Sequence, residues 1–480
     1  MKPVPVADRM TEPDPAELSG ILGQMDRFVT RGVNSAMVAG VRNFDDRAVL
    51  WCQIDPTGDD PGSLARPSAG DLLALVVDEA VVAGLPFIAV IRQLKLDGLV
   101  EMAGWGRWCA ALQRASGVVP TLVILDGHVS GACTLAFGLV DVVVMTSDAR
   151  ANLSAPRAIA TVTGRTTNAS TLGDPDVHHH LTGLVAHVAS DLAEALLWTA
   201  DLLSYLPNDN QSGPLRFRVD DRPGRSTPEL ADLVPADGRI AYDMRAVIQV
   251  ISDDRQFLEL RSGFGPTMLV GFARFGGIPC GVVANQPQCL AGAIDIESSQ
   301  KAARFVNWCD AFGLPLVTLV DTPGYLPGRD LEWAGMIRHG GQLAFAYADA
   351  TVGRVSLILR KAFGGAYIVM DSRTMGNNVA LAWPGSSIAV MGAQGAVQIV
   401  HGRRLAALAA SNRMAETSER RQLEDEYATT HLTPLDALRR GFIDELIDPA
   451  LTRSKICSAL ATLVDRRPTE RTRRHANPPL

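Results

Sequence analysis

The sequence predicts an α/β fold with mainly parallel strands, built twice. Three observations carry this. Short apolar runs of strand length alternate with stretches of helical periodicity and with glycine turns. The alternation then recurs. LPFIAVI (Leu85–Ile91), a helix and PTLVILDGHVSGACTL in the first half parallel LPLVTLV (Leu314–Val320), a helix and VSLILRKAFGGAY in the second. Finally, 480 residues exceed one comfortable hydrophobic core, so two domains are expected.

In order, residues 1–35 begin polar and Pro-rich, turn weakly helical over Glu17–Thr30, and read as an arm. Ala48–Ile54, Leu85–Ile91, Pro120–Leu125 and Val142–Met145 have the length and apolar content of strands. Leu72–Ala83 and Val100–Ala115 have helical periodicity. Gly127–Ala132 reads as a glycine loop that opens a small-residue helix through Leu139. Leu196–Leu206 is a helix stopped by Pro207-Asn208-Asp209-Asn210. The stretch 213–240, rich in Asp, Pro, Gly and Arg, is the expected linker between domains at 36–212 and 241–465. The second half has a helix at Tyr242–Val250, then a strand pair at Met268–Phe272 and Pro279–Ala284. After these come a helix at Ser298–Ala311, the strand Leu314–Val320, a helix at Leu331–Tyr347 and the strand Val355–Leu359. The glycine turn Gly364-Gly365, a short strand Ile388–Met391 and further helices to about Leu463 complete it. Residues 466–480 form a basic tail.

Composition narrows the class. Apolar residues make up 47% and charged residues 20%, a soluble globular balance. The net charge of −7, with no compensating basic block, argues against nucleic-acid binding. No apolar run is long enough to span a bilayer, and MKPVPVADRM has no apolar signal core. Seven scattered cysteines without a C-x-x-C suit a reducing cytoplasm, and a zinc ribbon is not expected. His178-His179-His180 looks metal-like, but three consecutive side chains rarely converge on one ion, so no metal is expected. A P-loop, a G-x-G-x-x-G after a strand and a G-x-S-x-G elbow are all missing. No Met-Lys-Met carrier motif occurs, so biotin is not expected on this chain.

What remains is the glycine turn. A strand that turns on Gly364-Gly365 into a helix aims backbone N–H groups at one point, where they can hold a negative oxygen. The plain alternative is a tight turn using glycine for backbone freedom. The duplication gives the turn a twin at Gly131-Ala132, which favours two oxyanion sites. Each aimed donor contributes about 2.7–4 kcal/mol to a transition state.

From Asn285 onward the motifs accumulate: N-Q-P, A-G-A-I-D-I-E-S-S-Q-K-A-A-R-F, D-A-F-G-L-P-L-V-T-L-V-D-T-P-G-Y-L-P-G, I-R-H-G-G, R-K-A-F-G-G-A-Y and I-A-V-M-G-A-Q-G-A-V. With L-L-S-Y-L-P-N-D-N and Y-D-M-R-A-V-I, they cover about Leu196–Leu451. The chain resembles the carboxyltransferase (β) subunit of biotin-dependent acyl-CoA carboxylases, most nearly the propionyl-CoA carboxylase type. The resemblance implies two tandem crotonase-like (ClpP/crotonase spiral) domains, the first on the acyl-CoA side and the second on the carboxybiotin side. It implies a homo-hexamer, a trimer of dimers with the site shared within a dimer. It also implies a biotin carboxylase/biotin carrier (alpha) subunit as partner, with biotin as carboxybiotin on that partner. By the same resemblance, Gly365 and Ala366 hold the biotin ureido oxygen, and Gly131 and Ala132 hold the thioester oxygen of an enolate. In the family's mechanism CO2 leaves carboxybiotin, the biotin nitrogen takes the α-proton and the enolate attacks CO2. Tyr367, Ile368, Arg92 and Lys95 are the substrate-binding candidates, the last two toward CoA phosphates or else as a solvated loop.

The sequence departs from the family's pattern at four places. I-R-Q-L-K-L (Ile91–Leu96) stands where D-S-G-G-A-R is usual, Ala132 replaces a glycine, Ile368 an aspartate and Gln394 a glutamate. The Gln394 change is equally consistent with a core-facing swap. Three readings are open: a carboxyltransferase subunit, a divergent decarboxylase or unusual-acyl carboxyltransferase, and a non-catalytic structural paralogue.

Overall fold

A computed structural model describes residues 25–26, 37–55, 68–94 and 99–464. The arm, the basic tail and Lys95 lie largely or wholly outside these residues. The strands of the first half are β1 (Met25–Asp26), β2 (Met37–Phe44), β3 (Arg47–Ile54), β4 (Phe87–Leu94), β5 (Thr121–Ser130), β6 (Val142–Thr146), β7 (Arg150–Asn152) and β8 (His187–Ala189). They form one sheet in the order β1-β2-β3-β4-β5-β6-β8, with β7 on β5. Those of the second half are β9 (Leu258–Leu260), β10 (Met268–Phe275), β11 (Ile278–Asn285), β12 (Leu316–Thr322), β13 (Arg354–Phe363), β14 (Val379–Ala382), β15 (Ser387–Ala389) and β16 (Glu445–Leu446). Their order is β9-β10-β11-β12-β13-β14-β16, with β15 on β13. Adding eight to each strand of the first sheet gives the second.

Each sheet opens with an antiparallel hairpin and continues in parallel. Both hairpins use a two-residue turn with φ positive at both positions, Asp45-Asp46 (48° and 61°) and Gly276-Gly277 (63° and 82°). Such turns match the twist of the strands they join. The hairpin strand β2 was not expected from sequence. Its turn is Asp-Asp, which tolerates the left-handed conformation less openly than glycine.

The helices follow from local signals. Ala69–Ala83 is capped by Ser68 and Asp71 reciprocally and ends at Gly84, φ 63°. It buries Leu72, Leu73, Val76, Val77 and Ala80 in a core shared with Phe87, Ile91, Trp108 and Leu125. In the second half, Val247, Ile248 and Ile251 of the helix Met244–Ile251 join Leu269, Val282, Val317, Val355 and Leu357. All of these are almost wholly shielded from water, which makes burial the main stabilising term.

Two expectations change. The helix expected over Leu331–Tyr347 is two, Arg329–Ala334 and Met336–Asp349, because Gly335 takes φ 100° between them. The loop expected over Gly127–Ala132 is largely strand. β5 continues through Ser130 by pairing with β7, and the turn begins only at Gly131.

The chain divides into two compact units. The first ends at Leu215 apart from two short returns, Leu260–Phe264 and Ala311–Gly313; the rest forms the second. Residues 216–240, within the stretch expected as a linker, belong to the second unit. There the Thr227 N–H donates to the Ala450 carbonyl (2.9 Å), and Arg225 to Asp221 and the Val250 carbonyl.

Candidate functional site

β13 delivers its C-terminal end into the six-residue helix Gly364–Val369. The strand is buried along nearly its whole length, so the turn's position is set by the core. Gly364 takes φ 61°, a conformation glycine reaches without strain. The N–H groups of Gly364, Gly365 and Ala366 lie in the first helical turn, where the helix itself offers no acceptor. Phe363, at the cap, makes no side-chain bond to them. Gly365 is exposed and Ala366 buried, so donors at the surface stand on a fixed base.

The first unit repeats this. Gly131 has φ 103°, and the 3-10 helix Ala132–Gly138 follows. Ala132 is exposed and Cys133 buried, as Gly365 and Ala366 are. The last residue of β5 paired with β7 is Ser130, and the last of β13 paired with β15 is Phe363. Register, φ and burial therefore align Gly131 with Gly364, Ala132 with Gly365 and Cys133 with Ala366. This alignment lies one residue beyond the Gly131–Ala132 pair expected from sequence. The Gly131 N–H is already donated to the Asn152 carbonyl at 2.9 Å, so Gly131 supplies the turn's conformation rather than a free donor. Ala132 has negative φ, and its N–H and that of Cys133 start the 3-10 turn, whose first closing bond is from Thr134 to the Gly131 carbonyl. Cys133 was not among the residues expected from sequence. The signal was the offset of one residue between the two assigned pairs.

An ion pair lies behind each turn, with its charges exchanged. The strands before both turns have a register shift, at Arg92 in β4 and at Asp321 in β12. Arg92 donates to Asp126 on β5 (2.9 Å) and to Asp55 (2.7 Å). Arg360 on β13 donates to Asp321 (2.8 Å). The pair in the second unit is buried, 7% and 0% exposed. Arg360 also reaches the carbonyls of Pro235, Asp237 and Ile240 and lies over the Tyr242 ring, whose hydroxyl donates to Asp321 (3.0 Å). Burial and the Asp321 charge push the Tyr242 phenol well above its ordinary value. In the first unit two carboxylates, Asp55 and Asp126, meet the Arg92 charge and hold its pKa up.

The remaining candidates separate. Tyr367 is 9% exposed, and its hydroxyl donates to the Phe442 carbonyl at 3.5 Å; burial pushes its phenol up to about 12. Ile368 beside it is 37% exposed and stands at the surface. Gln394 is exposed on the first turn of the helix Ala393–Ser411, so a core-facing swap does not explain it. The three histidines act as struts. His178 meets the Ala151 carbonyl (2.7 Å) and Thr182, His179 accepts from the Gly263 N–H (3.1 Å), and His180 meets the Asp176 carbonyl. Among the described residues no cluster of His, Cys, Asp or Glu has a metal-binding arrangement, and no helix is long and apolar enough to cross a membrane.

A family model described as the carboxyl transferase domain matches residues 62–478. The methylmalonyl-CoA carboxyltransferase 12S subunit of Propionibacterium freudenreichii subsp. shermanii is 38% identical over 425 residues, 87% of this chain and 79% of the relative. The propionyl-CoA carboxylase beta chain of Saccharopolyspora erythraea is 40% identical over 423 residues, 86% of this chain and 77% of the relative. The crystal structure of transcarboxylase 12S, described as a hexamer assembly with hydrolysed methylmalonyl-coenzyme A bound, superposes with a TM-score of 0.87 at 34% identity. It covers 96% of this chain and 92% of the other.

Proposed function

The chain belongs to the carboxyl transferase family, as a carboxyltransferase subunit of the biotin-dependent acyl-CoA carboxylase type, and from that premise we propose how its two turns divide the work. The observation that carries the proposal is the paired turn: Gly364-Gly365-Ala366 and Gly131-Ala132-Cys133 share register, burial and a positive-φ glycine. In the second unit the Gly365 and Ala366 N–H groups receive the ureido oxygen of biotin. Gly365 has no side chain, and an ideal Cβ placed there finds nothing nearer than 3.9 Å, so a ligand oxygen has room to reach the donors. When bound, carboxybiotin on a carrier protein supplies the carboxyl group.

In the first unit the Ala132 and Cys133 N–H groups hold the thioester oxygen of the acyl-CoA. They stabilise the charge that grows on it as the α-proton leaves. Donors fixed in advance do not need to reorganise as the charge forms, which is why they are effective. The protein therefore contributes position and electrostatics, and no side-chain acid or base is required of it. Ile368, exposed just beyond the Gly365–Ala366 pair, presents an apolar wall that selects among acyl groups. The working form is a homo-hexamer in the cytoplasm that engages a biotin carboxylase/carrier subunit.

Reconstitution tests this reading. The chain is combined with a biotinylated carrier and carboxylase, ATP, bicarbonate and a panel of acyl-CoAs. Carboxylation of at least one acyl-CoA, dependent on the carrier, is expected. Its absence across the panel, with decarboxylation of malonyl- or methylmalonyl-CoA in the carrier's absence, would overturn the assignment in favour of a decarboxylase.

A further inference from the structure

Tyr325 follows the Thr322-Pro323-Gly324 turn at the end of β12. Its backbone is fixed by the neighbouring segment: Ile294 donates to the Gly324 carbonyl (3.1 Å), and Leu326 donates to the Ile294 carbonyl (2.9 Å). The ring stands between two glycines. An ideal Cβ at Gly365 would lie 3.9 Å from Tyr325 Cε2, and one at Gly340 would lie 3.1 Å from the Tyr325 hydroxyl. Gly340 is buried in the helix Met336–Asp349, so its missing side chain opens the space that the phenol occupies. The ring is only partly exposed. Its hydroxyl makes no hydrogen bond among the described residues, which leaves it available to a ligand. Tyr347 and Tyr242, the other phenols buried near β12, are both paired, with Thr318 and Asp321.

We propose that Tyr325 is a ligand-contacting residue of the second-unit turn, its hydroxyl hydrogen-bonding the cyclic urea that Gly365 and Ala366 receive. This rests on the assignment of that turn to biotin. Burial pushes the phenol up to about 12, so it stays protonated across the working pH range and can donate as well as accept. Two backbone donors hold one oxygen but leave the ring free to pivot about it. A third contact from a different element sets its orientation.

The test uses the full chain and free biotin, titrated by saturation-transfer NMR. Tyr325→Phe removes only the hydroxyl. It is expected to weaken biotin binding about tenfold, equivalent to about 1.4 kcal/mol, with melting temperature and acyl-CoA binding unchanged. Gly340→Ala, which crowds the hydroxyl, is expected to weaken binding in the same direction. In the reconstituted reaction Tyr325→Phe should raise KM for the carrier more than it lowers kcat. If Tyr325→Phe binds biotin as the wild type does while Gly365→Pro does not, the role of Tyr325 is refuted and the turn assignment stands. If Gly365→Pro binds biotin normally, or the wild type shows no biotin binding, the turn assignment fails and the role of Tyr325 with it.

Discussion

At the residue scale, the two glycine turns rest on ion pairs whose energetics differ. Asp321 and Arg360 are buried, and every polar atom of the guanidinium for which a bond is seen goes to a carboxylate or a carbonyl. Removing one partner strands the other charge in a low-dielectric setting. Arg360→Ala is expected to destabilise the second unit by about 3–5 kcal/mol, read as a lower denaturant midpoint. Arg92, 41% exposed, is screened by water, so Arg92→Ala is expected to cost well under half of that. On the proposed reading Ile368, 37% exposed, bears on selectivity rather than stability. Ile368→Asp places a carboxylate on an apolar wall and is expected to lower kcat/KM for the preferred acyl-CoA about tenfold, with a small change in melting temperature. A shift confined to melting temperature would remove Ile368 from the substrate wall. Neither the exchanged charges nor the occupied Gly131 N–H was legible in the sequence. Arg92 is one residue in a run that departs from the family's pattern, and which carbonyl a glycine N–H meets depends on the distant strand β7.

At the element scale, the duplication was the most legible feature, because apolar strand runs and glycine turns survive as patterns even where residues change. Strand positions on β3, β4, β6 and β12 fell within a few residues of those expected. The strand β2 escaped because Asp45-Asp46 is a weaker signal for a left-handed turn than the Gly276-Gly277 of its twin. Gly277 shows what that turn requires. Its φ is 82°, and a Cβ there would press on the Phe217 carbonyl. Gly277→Ala is expected to cost more than about 1–2 kcal/mol, measured by chemical denaturation. The helix Leu192–Leu203 adds a pH dependence. Its Trp198 stacks on His187 with ring centroids 4.8 Å apart, and burial holds that imidazole below its ordinary value of 6.5 against the opposing pull of Glu194. The folded state therefore favours neutral His187. Its contribution is present above 6.5 and is lost as pH falls through the lowered folded value. Thermal melts of wild type and His187→Gln should converge or cross as pH is lowered below the ordinary value. A constant difference across that range would show that His187 does not titrate differently in the folded protein.

At the scale of the whole molecule, the fold explains why so little conventional catalytic machinery is visible. Two copies of one sheet each carry a strand-to-helix turn, and the proposed mechanism needs two places where charge on an oxygen is met by fixed donors. On that reading, duplication supplies both from one structural idea. The proposed hexamer predicts a single sedimenting species of six chains, and a stable monomer that carries full activity would contradict it. The central claim is tested most directly at Gly365. Proline is tolerated in the first turn of a helix, so Gly365→Pro removes an N–H while leaving the turn able to form. The measurement is carrier-dependent carboxylation by the reconstituted Gly365→Pro enzyme, with assembly followed by sedimentation. A fall in kcat of about 10²–10³-fold with assembly intact is the expected result, and wild-type turnover would contradict the account.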